Sequence, residues 1–360
     1  MNTSIWPTLA ESTDRLITQA MQDGMFPGAA ISIGDKNGEL YRATYGNRSL
    51  YPEKLPMQPD TLFDLASLTK ILSTTMVTLA LVETGKLNLS DKLNQFYDTP
   101  ADKQDITIHQ LMTHTSSLPA HIPIYNLAPT PKQAIGTILN QPLGANTNVV
   151  YSCLGFILLG KICEIVGGST LDNLAQKYVF EPLGLKTATY CPCTKNHNFA
   201  ATEFCEIRDE WLSGIVHDEN ARFIGGVSGN AGLFADINDC ATLAIMLADK
   251  GSLNNKTIIS QSIFETAIQN HTPHCDEGRG LGFAVKGRAP VSCGSIFPVG
   301  SYGHTGFTGT SIWVNAETSQ YVVFLTNRVH PTRDDNRLAA FRSVLHDSCA
   351  RVYELLASTM

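Results

Sequence analysis

The sequence predicts an α/β protein of the α+β kind: one antiparallel sheet assembled from both chain ends, covered by the terminal helices, with a mostly helical insertion. Three observations predict it. Alternating β runs lie near both ends, the middle repeats apolar residues at helical spacing, and both termini carry helix patterns, a polar one first and an amphipathic one last. A chain of 360 residues is long for a single hydrophobic core and suits two closely packed subdomains. The expected division is residues 1–62 with 276–360 for the α/β part, and 63–275 for the helical part.

The elements follow in order. A polar helix pattern runs from Thr8 to Met25 and stops at Pro27-Gly28. Ala29–Ile33 and Leu40–Tyr45 flank Asp35-Lys-Asn-Gly38, which reads as a hairpin around an Asn-Gly turn. Leu68, Ile71, Leu72, Met76, Leu79 and Val82 then recur with helical period, and Gly85 is a natural C-terminal stop. Leu154, Ile157, Leu158, Ile162 and Ile165 repeat the pattern up to Gly167-Gly168. Further helices are expected near Ile108–Leu118, Pro131–Leu139, Leu171–Val179 and Ile237–Lys250. Two β runs, Ser311–Asn315 and Tyr321–Asn327, are joined by the polar turn Ala316–Gln320. Leu338, Phe341, Leu345, Cys349, Val352 and Leu356 mark a last amphipathic helix. The site is expected in the cleft between sheet and insertion.

Bulk composition narrows the function. The apolar fraction is 43% and the charged fraction 16%, the balance of an ordered globular protein. Net charge is −7 and no Lys/Arg-rich run exists, which excludes a basic nucleic-acid footprint and an anionic-membrane footprint. The longest apolar run, Cys153–Gly160, ends at Lys161, far short of a membrane span. The first basic residue, Arg15, follows Pro7 and Glu11, so the N-terminal segment does not have the pattern of a secretory signal. Nine cysteines without regular spacing read as reduced thiols. These features together predict a cytoplasmic location. Oligomeric state leaves no trace in the sequence.

Three short motifs carry chemistry. Ser67-Leu-Thr-Lys70 opens the first strong helix, and a spacing of three places both side chains on one face. A serine hydroxyl needs a neighbour to take its proton, and a lysine can do so when burial and the helix N-terminus lower its pKa. Ser-x-x-Lys is a common pattern by itself, yet Ser67 is the only serine here with lysine three residues on. Tyr151-Ser-Cys153 starts the next strong helix, where a tyrosine near a cationic lysine can relay a proton or simply be a half-buried core residue. Gly303-His-Thr-Gly306 precedes a strand, where glycines allow close approach of backbone to a ligand and an edge N–H can meet an oxyanion; it also reads as a hairpin turn with a surface histidine.

In this order the motifs resemble the serine β-lactamase and penicillin-binding-protein superfamily, marked by Ser-x-x-Lys, a second motif and Lys-Thr-Gly. The tyrosine second motif is similar to the class C β-lactamase branch with its D-amino-acid peptidase and carboxylesterase relatives. Leu111-Met-Thr-His-Thr-Ser-Ser-Leu118, Val216-His-Asp-Glu-Asn-Ala221 and Gly225-Gly-Val-Ser-Gly-Asn-Ala-Gly-Leu-Phe234 extend the resemblance to the penicillin-binding-protein-4B-like subgroup over nearly the whole chain. The resemblance implies a β-lactamase/transpeptidase-like fold and an acyl-enzyme on Ser67. Lys70 and Tyr151 would share general-base work, and Tyr151 would protonate the leaving group. The backbone N–H groups of Ser67 and Phe307 would form the oxyanion hole, and His304, Thr305 and Gly306 would face the substrate.

Two departures stand out. Cys153 replaces the usual Asn or Asp, and a thiol cannot supply an amide's donor and acceptor pair. His304 replaces the lysine of Lys-Thr-Gly and is only partly charged near neutral pH. Both argue against efficient β-lactamase activity. They also favour a second reading, a binding or regulatory module that keeps the fold without catalysis. His217 and Asn220, with Asp218, form a loop that either faces substrate or fixes its own backbone. His114 and Thr115 are expected to be structural. Cys191, Cys193, His197 and Cys205 have zinc-ligand chemistry, but not a usual zinc spacing, and reduced loop thiols are the favoured reading. No Gly-x-Ser-x-Gly, P-loop or dinucleotide fingerprint is present, and no cofactor is implied. The expected substrate is a small amide, peptide or ester: a D-amino-acid peptide, as for a carboxypeptidase, or a carboxylic ester.

Overall fold

The computed structural model describes residues 6–144, 148–193, 198–275, 277–288 and 291–357. An eight-stranded antiparallel sheet is the framework. Its strands are β1 (Gly28–Asp35), β2 (Gly38–Ser49), β3 (Leu55–Pro56), β4 (Gly278–Arg279), β5 (Ala284–Val285), β6 (Tyr302–Thr305), β7 (Ser311–Val314) and β8 (Tyr321–Thr326). They lie in the order β4-β5-β6-β7-β8-β1-β2-β3, so N-terminal and C-terminal strands meet at the β8–β1 pair, with Ile31 opposite Phe324. The first and last strands of the chain therefore join the two halves of the sheet in its interior, and all eight strands come from residues 28–56 and 278–326.

Period-two alternation decides which side chain faces which layer. Ile31, Ile33, Val322 and Phe324 point to a core shared with the terminal helices α1 (Trp6–Gln22) and α5 (Leu338–Ala357). That face also holds Trp313, Phe341 and Leu345. Ala30, Val323 and Leu325 point the other way, into the larger core of the helical part. Strand β8 is buried along its whole length, as a central strand covered on both faces must be. Each large apolar side chain buried there contributes roughly 1.5–3 kcal/mol.

The intervening segment supplies the other layer. Helix α2 (Thr75–Glu83) follows a π-helical stretch at Lys70–Thr74 and ends before Gly85, whose φ of 67° closes it. Helix α3 (Cys153–Gly167) is capped by Ser152, whose hydroxyl accepts from Gly155 N at 3.2 Å. Helix α4 (Ile237–Ala248) starts at Asp236 and packs directly on β1, β7 and β8. The helical part and the sheet thus share one continuous core. No single helix among the described residues is long and apolar enough to cross a membrane.

Most expected elements form, with shifted bounds. The hairpin is longer than its apolar core implied, since β2 continues to Ser49 as a mixed-polarity strand. The expected helix at Ile108–Leu118 stops at Met112, because His114 takes a left-handed conformation with φ 58°. Short strands β4, β5 and β6 were not legible, and neither was a small sheet of Phe63–Asp64, Leu233–Ala235 and Thr189–Tyr190. Two- and four-residue strands are too short to show a period.

Candidate active site

Ser67 sits on a turn between the strand Phe63–Asp64 and the helix that continues into α2. Just before it, Ala66 has φ 46°, a left-handed conformation that costs a non-glycine residue on the order of 1 kcal/mol. Buried Asp64 holds this turn: one carboxylate oxygen accepts from Ala66 N at 2.9 Å and the other from His217 N at 2.7 Å. Burial pushes the Asp64 pKa up, while those two amides pull it back.

The turn is bolted to the loop after β6. Thr308 Oγ1 donates to Asp64 O at 2.7 Å, and Thr310 Oγ1 donates to Leu65 O at 3.0 Å. Gly306 is required at this junction: a Cβ there would lie 2.1 Å from Thr310 Oγ1 and 2.6 Å from Leu65 O. Buried Arg342 on α5 braces the same loop, donating to Gly306 O at 3.3 Å and Thr310 O at 2.7 Å. Ser67 and Phe307 therefore belong to one rigid assembly. Among the described residues, neither backbone N–H donates to a protein acceptor, which leaves both available to an oxyanion.

Lys70 lies fully buried beneath Ser67. Its Nζ donates to Ser67 Oγ at 2.9 Å, to Asn230 O at 3.0 Å and to Cys153 Sγ at 3.6 Å, so three acceptors match the three N–H bonds of an ammonium. The same Nζ stands 5.0 Å from the Tyr151 ring centre and 5.7 Å from that of Phe156. Burial alone pushes the Lys70 pKa down, yet the anionic forms of Cys153 and Tyr151 outweigh it and the net direction is up. The expected lowering therefore does not occur, because interaction with the anionic forms of Cys153 and Tyr151 favours the ammonium more than burial disfavours it. Tyr151 is raised too, by burial first, with Lys70 pulling against it. Each partner's charged form favours the other's, so the two titrate as one pair.

Tyr151 is held from behind by His114. Ser152 N donates to His114 Nδ1 at 3.1 Å, Val150 N donates to His114 O at 2.9 Å, and the His114 ring lies 4.7 Å from that of Tyr151. Burial, then the charges of Arg279 and Lys70, keep His114 neutral well below its ordinary pKa. His304 on β6 lies on Tyr151's other side, with ring centres 5.6 Å apart. Its Nδ1–H donates to Thr305 O at 2.7 Å, so Nε2 carries the lone pair and acts as an acceptor. Burial first, then Lys70 and Arg279, press its pKa down to about 3. His304 is thus a neutral acceptor rather than a partly charged clamp.

A cavity of about 500 Å³ opens above these groups. Ser67, Tyr151, His304, Thr305, Gly306 and Phe307 line it. Cys153, His217 and Asn220 do not. Cys153 instead meets Lys70 from below. Asn220 is a correction to the substrate-facing alternative: it is fully buried, and its amide accepts from Ile124 N at 2.8 Å and donates to Ile122 O at 2.8 Å, fixing that loop. His217 is likewise buried, bonded through Nε2 to Glu203 at 2.9 Å, with its ring stacked on Phe307. Asp218 caps the short helix after it, accepting from Ala221 N. His197 lies outside the described residues; among those described, no group of three or more His, Cys, Asp or Glu side chains can hold a metal.

Four residues escaped sequence reasoning: Asn230 beside Lys70, and Arg279, Arg328 and Arg342 on the cavity wall. Asn230 lies in the glycine-rich segment that carried the resemblance, which was its only signal. The arginines arrive from β4, the segment after β8, and α5, far apart in sequence.

Residues 13–346 match the family model described as Beta-lactamase. The chain belongs to the β-lactamase family. Within this serine-hydrolase family, it is 32% identical over 364 residues to the N-acetylmuramyl-L-alanine amidase of Bacillus subtilis, covering 88% of this chain and 80% of the relative. It is 30% identical over 374 residues to an Escherichia coli K12 protein provisionally named as a D-alanyl-D-alanine carboxypeptidase, covering 90% of this chain and 83% of that one. Among solved structures, EstCE1, described as a hydrolase with promiscuous acyltransferase activity, superposes with a TM-score of 0.77 at 22% identity, covering 96% of this chain and 99% of that one. The octameric penicillin-binding protein homologue from Pyrococcus abyssi superposes with a TM-score of 0.72, also at 22% identity, over 93% of this chain and 76% of that one. These two likenesses establish the β-lactamase/transpeptidase fold.

Proposed function

We propose that this β-lactamase-family hydrolase cleaves small amides, peptides or esters through an acyl-enzyme on Ser67. The carrying observation is the 2.9 Å contact between Lys70 Nζ and Ser67 Oγ on the cavity floor, with Tyr151 beside both. Lys70 and Tyr151 form a coupled acid–base pair. When the pair has lost one proton, it takes the hydrogen of Ser67 as Oγ attacks the substrate carbonyl. The developing oxyanion is received by the N–H groups of Ser67 and Phe307, which Thr308, Thr310 and Arg342 hold in place. Tyr151 returns the proton to the leaving atom, and water then releases the acyl group by the reverse sequence. His304 Nε2 and Thr305 contact the substrate as polar groups of the wall.

The neutral His304 supports weak or absent β-lactamase activity, because that position offers no charge to a penicillin carboxylate. The relatives' names support a D-alanyl peptide or muramyl amide, and the EstCE1 likeness an ester; all share the acyl-enzyme step. Nine free thiols support a reducing compartment such as the cytoplasm. A burst assay tests the reading. With p-nitrophenyl acetate the wild type releases a rapid burst stoichiometric with enzyme, and Ser67→Ala gives none. A burst that survives in Ser67→Ala refutes it. Absence of any turnover in the wild type favours the binding-module reading, which the raised Lys70 pKa and Cys153 contact support.

A further inference from the structure

His217 does not line the cavity, yet it touches the supports of both oxyanion donors. Its backbone N–H donates to one carboxylate oxygen of Asp64 at 2.7 Å, while the other oxygen accepts from Ala66 N, one residue before Ser67. Its ring lies on the ring of Phe307, with centres 5.7 Å apart and planes 26° apart. Thr308, the next residue, donates to Asp64 O at 2.7 Å. These contacts close a circuit: Asp64 to His217, His217 to Phe307, Phe307 to Thr308 along the chain, and Thr308 back to Asp64. The ring stack is the one link in it made by two side chains. Arg222 pins the backbone at this corner, donating to Val216 O at 2.8 Å and His217 O at 3.2 Å.

The imidazole is itself oriented. Its Nε2 meets Glu203 at 2.9 Å, and Arg333 holds Glu203 in turn, through its backbone N at 2.8 Å and through its guanidinium. Burial pushes the Glu203 pKa up, but the bonds from His217 and Arg333 outweigh it and hold it below the usual carboxylate value. An ionised carboxylate only accepts, so Nε2 carries the hydrogen and the ring has one orientation. Phe307 is half-exposed, and such a ring keeps one rotamer only where neighbours hold it. We propose that His217 is a positioning residue for acylation: its ring, oriented by Glu203 and Arg333, fixes Phe307 so that the Phe307 N–H meets the oxyanion at hydrogen-bond distance. The proposal rests on the reading of Ser67 as the nucleophile. His217→Ala keeps the backbone N–H that holds Asp64, so it removes the ring link alone.

The test reads two quantities. Stopped-flow bursts with p-nitrophenyl acetate give the acylation rate constant and, separately, the dissociation constant of the ester. Phenylboronic acid, which adds Ser67 Oγ to boron as a tetrahedral adduct, reports the oxyanion site through its affinity. In His217→Ala the acylation rate and the boronate affinity fall together by roughly tenfold or more, part of the cost of losing a whole oxyanion donor, while the ester's dissociation constant is unchanged. His217→Phe restores a stacked ring and recovers most of both. Phe307→Ala keeps the N–H, removes the other ring and gives the same fall. The double variant loses no more than either single one, because both break one link. Wild-type acylation in a folded His217→Ala overturns the proposal and leaves the hydrolase reading standing. Losses that multiply in the double variant overturn it too, as does a slower acylation with boronate affinity intact. Where His217→Ala does not fold, Phe307→Ala decides, and wild-type acylation there overturns the proposal. A burst absent from the wild type, or persisting in Ser67→Ala, overturns the hydrolase reading and the role of His217 together.

Discussion

Replacing Gly306 with alanine tests whether the oxyanion assembly is as rigid as its bonds imply. The new Cβ would lie 2.1 Å from Thr310 Oγ1 and 2.6 Å from Leu65 O, both part of the brace between the Ser67 turn and the Phe307 loop. Ordinary contact distances require the loop to withdraw by about 1 Å. That movement breaks the Thr310–Leu65 hydrogen bond, worth about 1 kcal/mol, and adds overpacking strain of about 1–3 kcal/mol. It also moves Phe307 N away from the oxyanion. Losing one such donor, or misplacing a reacting group by about 1 Å, costs about 10²–10³ in rate. The assay is the second-order rate of fluorophosphonate labelling by stopped flow, beside thermal unfolding of the same preparation. Gly306→Ala is expected to label about a hundredfold or more slowly and to unfold several degrees lower. A variant that melts lower yet labels at the wild-type rate would refute the argument, because the brace would then support the fold without positioning the oxyanion donor.

Other expectations follow from the same geometry. Since the Lys70 and Tyr151 pKa values are both raised, acylation should accelerate with rising pH into the alkaline range; Cys153→Ser keeps an acceptor for Lys70 but removes the Cys153 charge that helps raise it, so its pH–rate profile should move to lower pH, while an unmoved profile would show that Cys153 does not tune Lys70. His304 is pressed to about 3 in the folded chain against about 6.5 in the unfolded one, so its contribution to stability is complete above pH 6.5 and drains as pH falls toward 3, by at most about 1.4 kcal/mol per pH unit. His304→Gln should flatten urea-denaturation stability over that window, and an unchanged slope contradicts the assignment. Ala66→Gly relieves a left-handed alanine and should raise stability by about 0.5–1 kcal/mol in calorimetry while slowing acylation, as the turn under Ser67 loosens.

Much of this architecture was legible because periodicity survives without context. Ile31, Ile33, Val322 and Phe324 alternate with the other face, and α5 shows its buried stripe at Leu338, Phe341, Leu345, Cys349 and Val352. Ser67, Lys70 and Tyr151 were legible because each opens a strong helix, and the structure brings all three to one point. Strands β4 and β5 hold two residues each and offer no period, so the edge bearing Arg279 stayed invisible. The direction of the Lys70 shift was misjudged for a different reason. Burial was foreseeable, but the closeness of Cys153 and Tyr151 to the amine is a tertiary fact. Asn220 reads as a polar loop residue, yet its amide closes a buried backbone gap at Ile122 and Ile124, and no local pattern reports that. His304 shows its residue type in sequence, while its protonation depends on Lys70, Arg279 and burial acting together.

The most direct measurement is peptide mapping by mass spectrometry after fluorophosphonate labelling of the wild type and Ser67→Ala. The account predicts a single phosphonyl adduct on the peptide containing Ser67, absent from Ser67→Ala. An adduct on Cys153 or on another serine, or none on a folded wild type, would contradict the claim that Ser67 is the nucleophile.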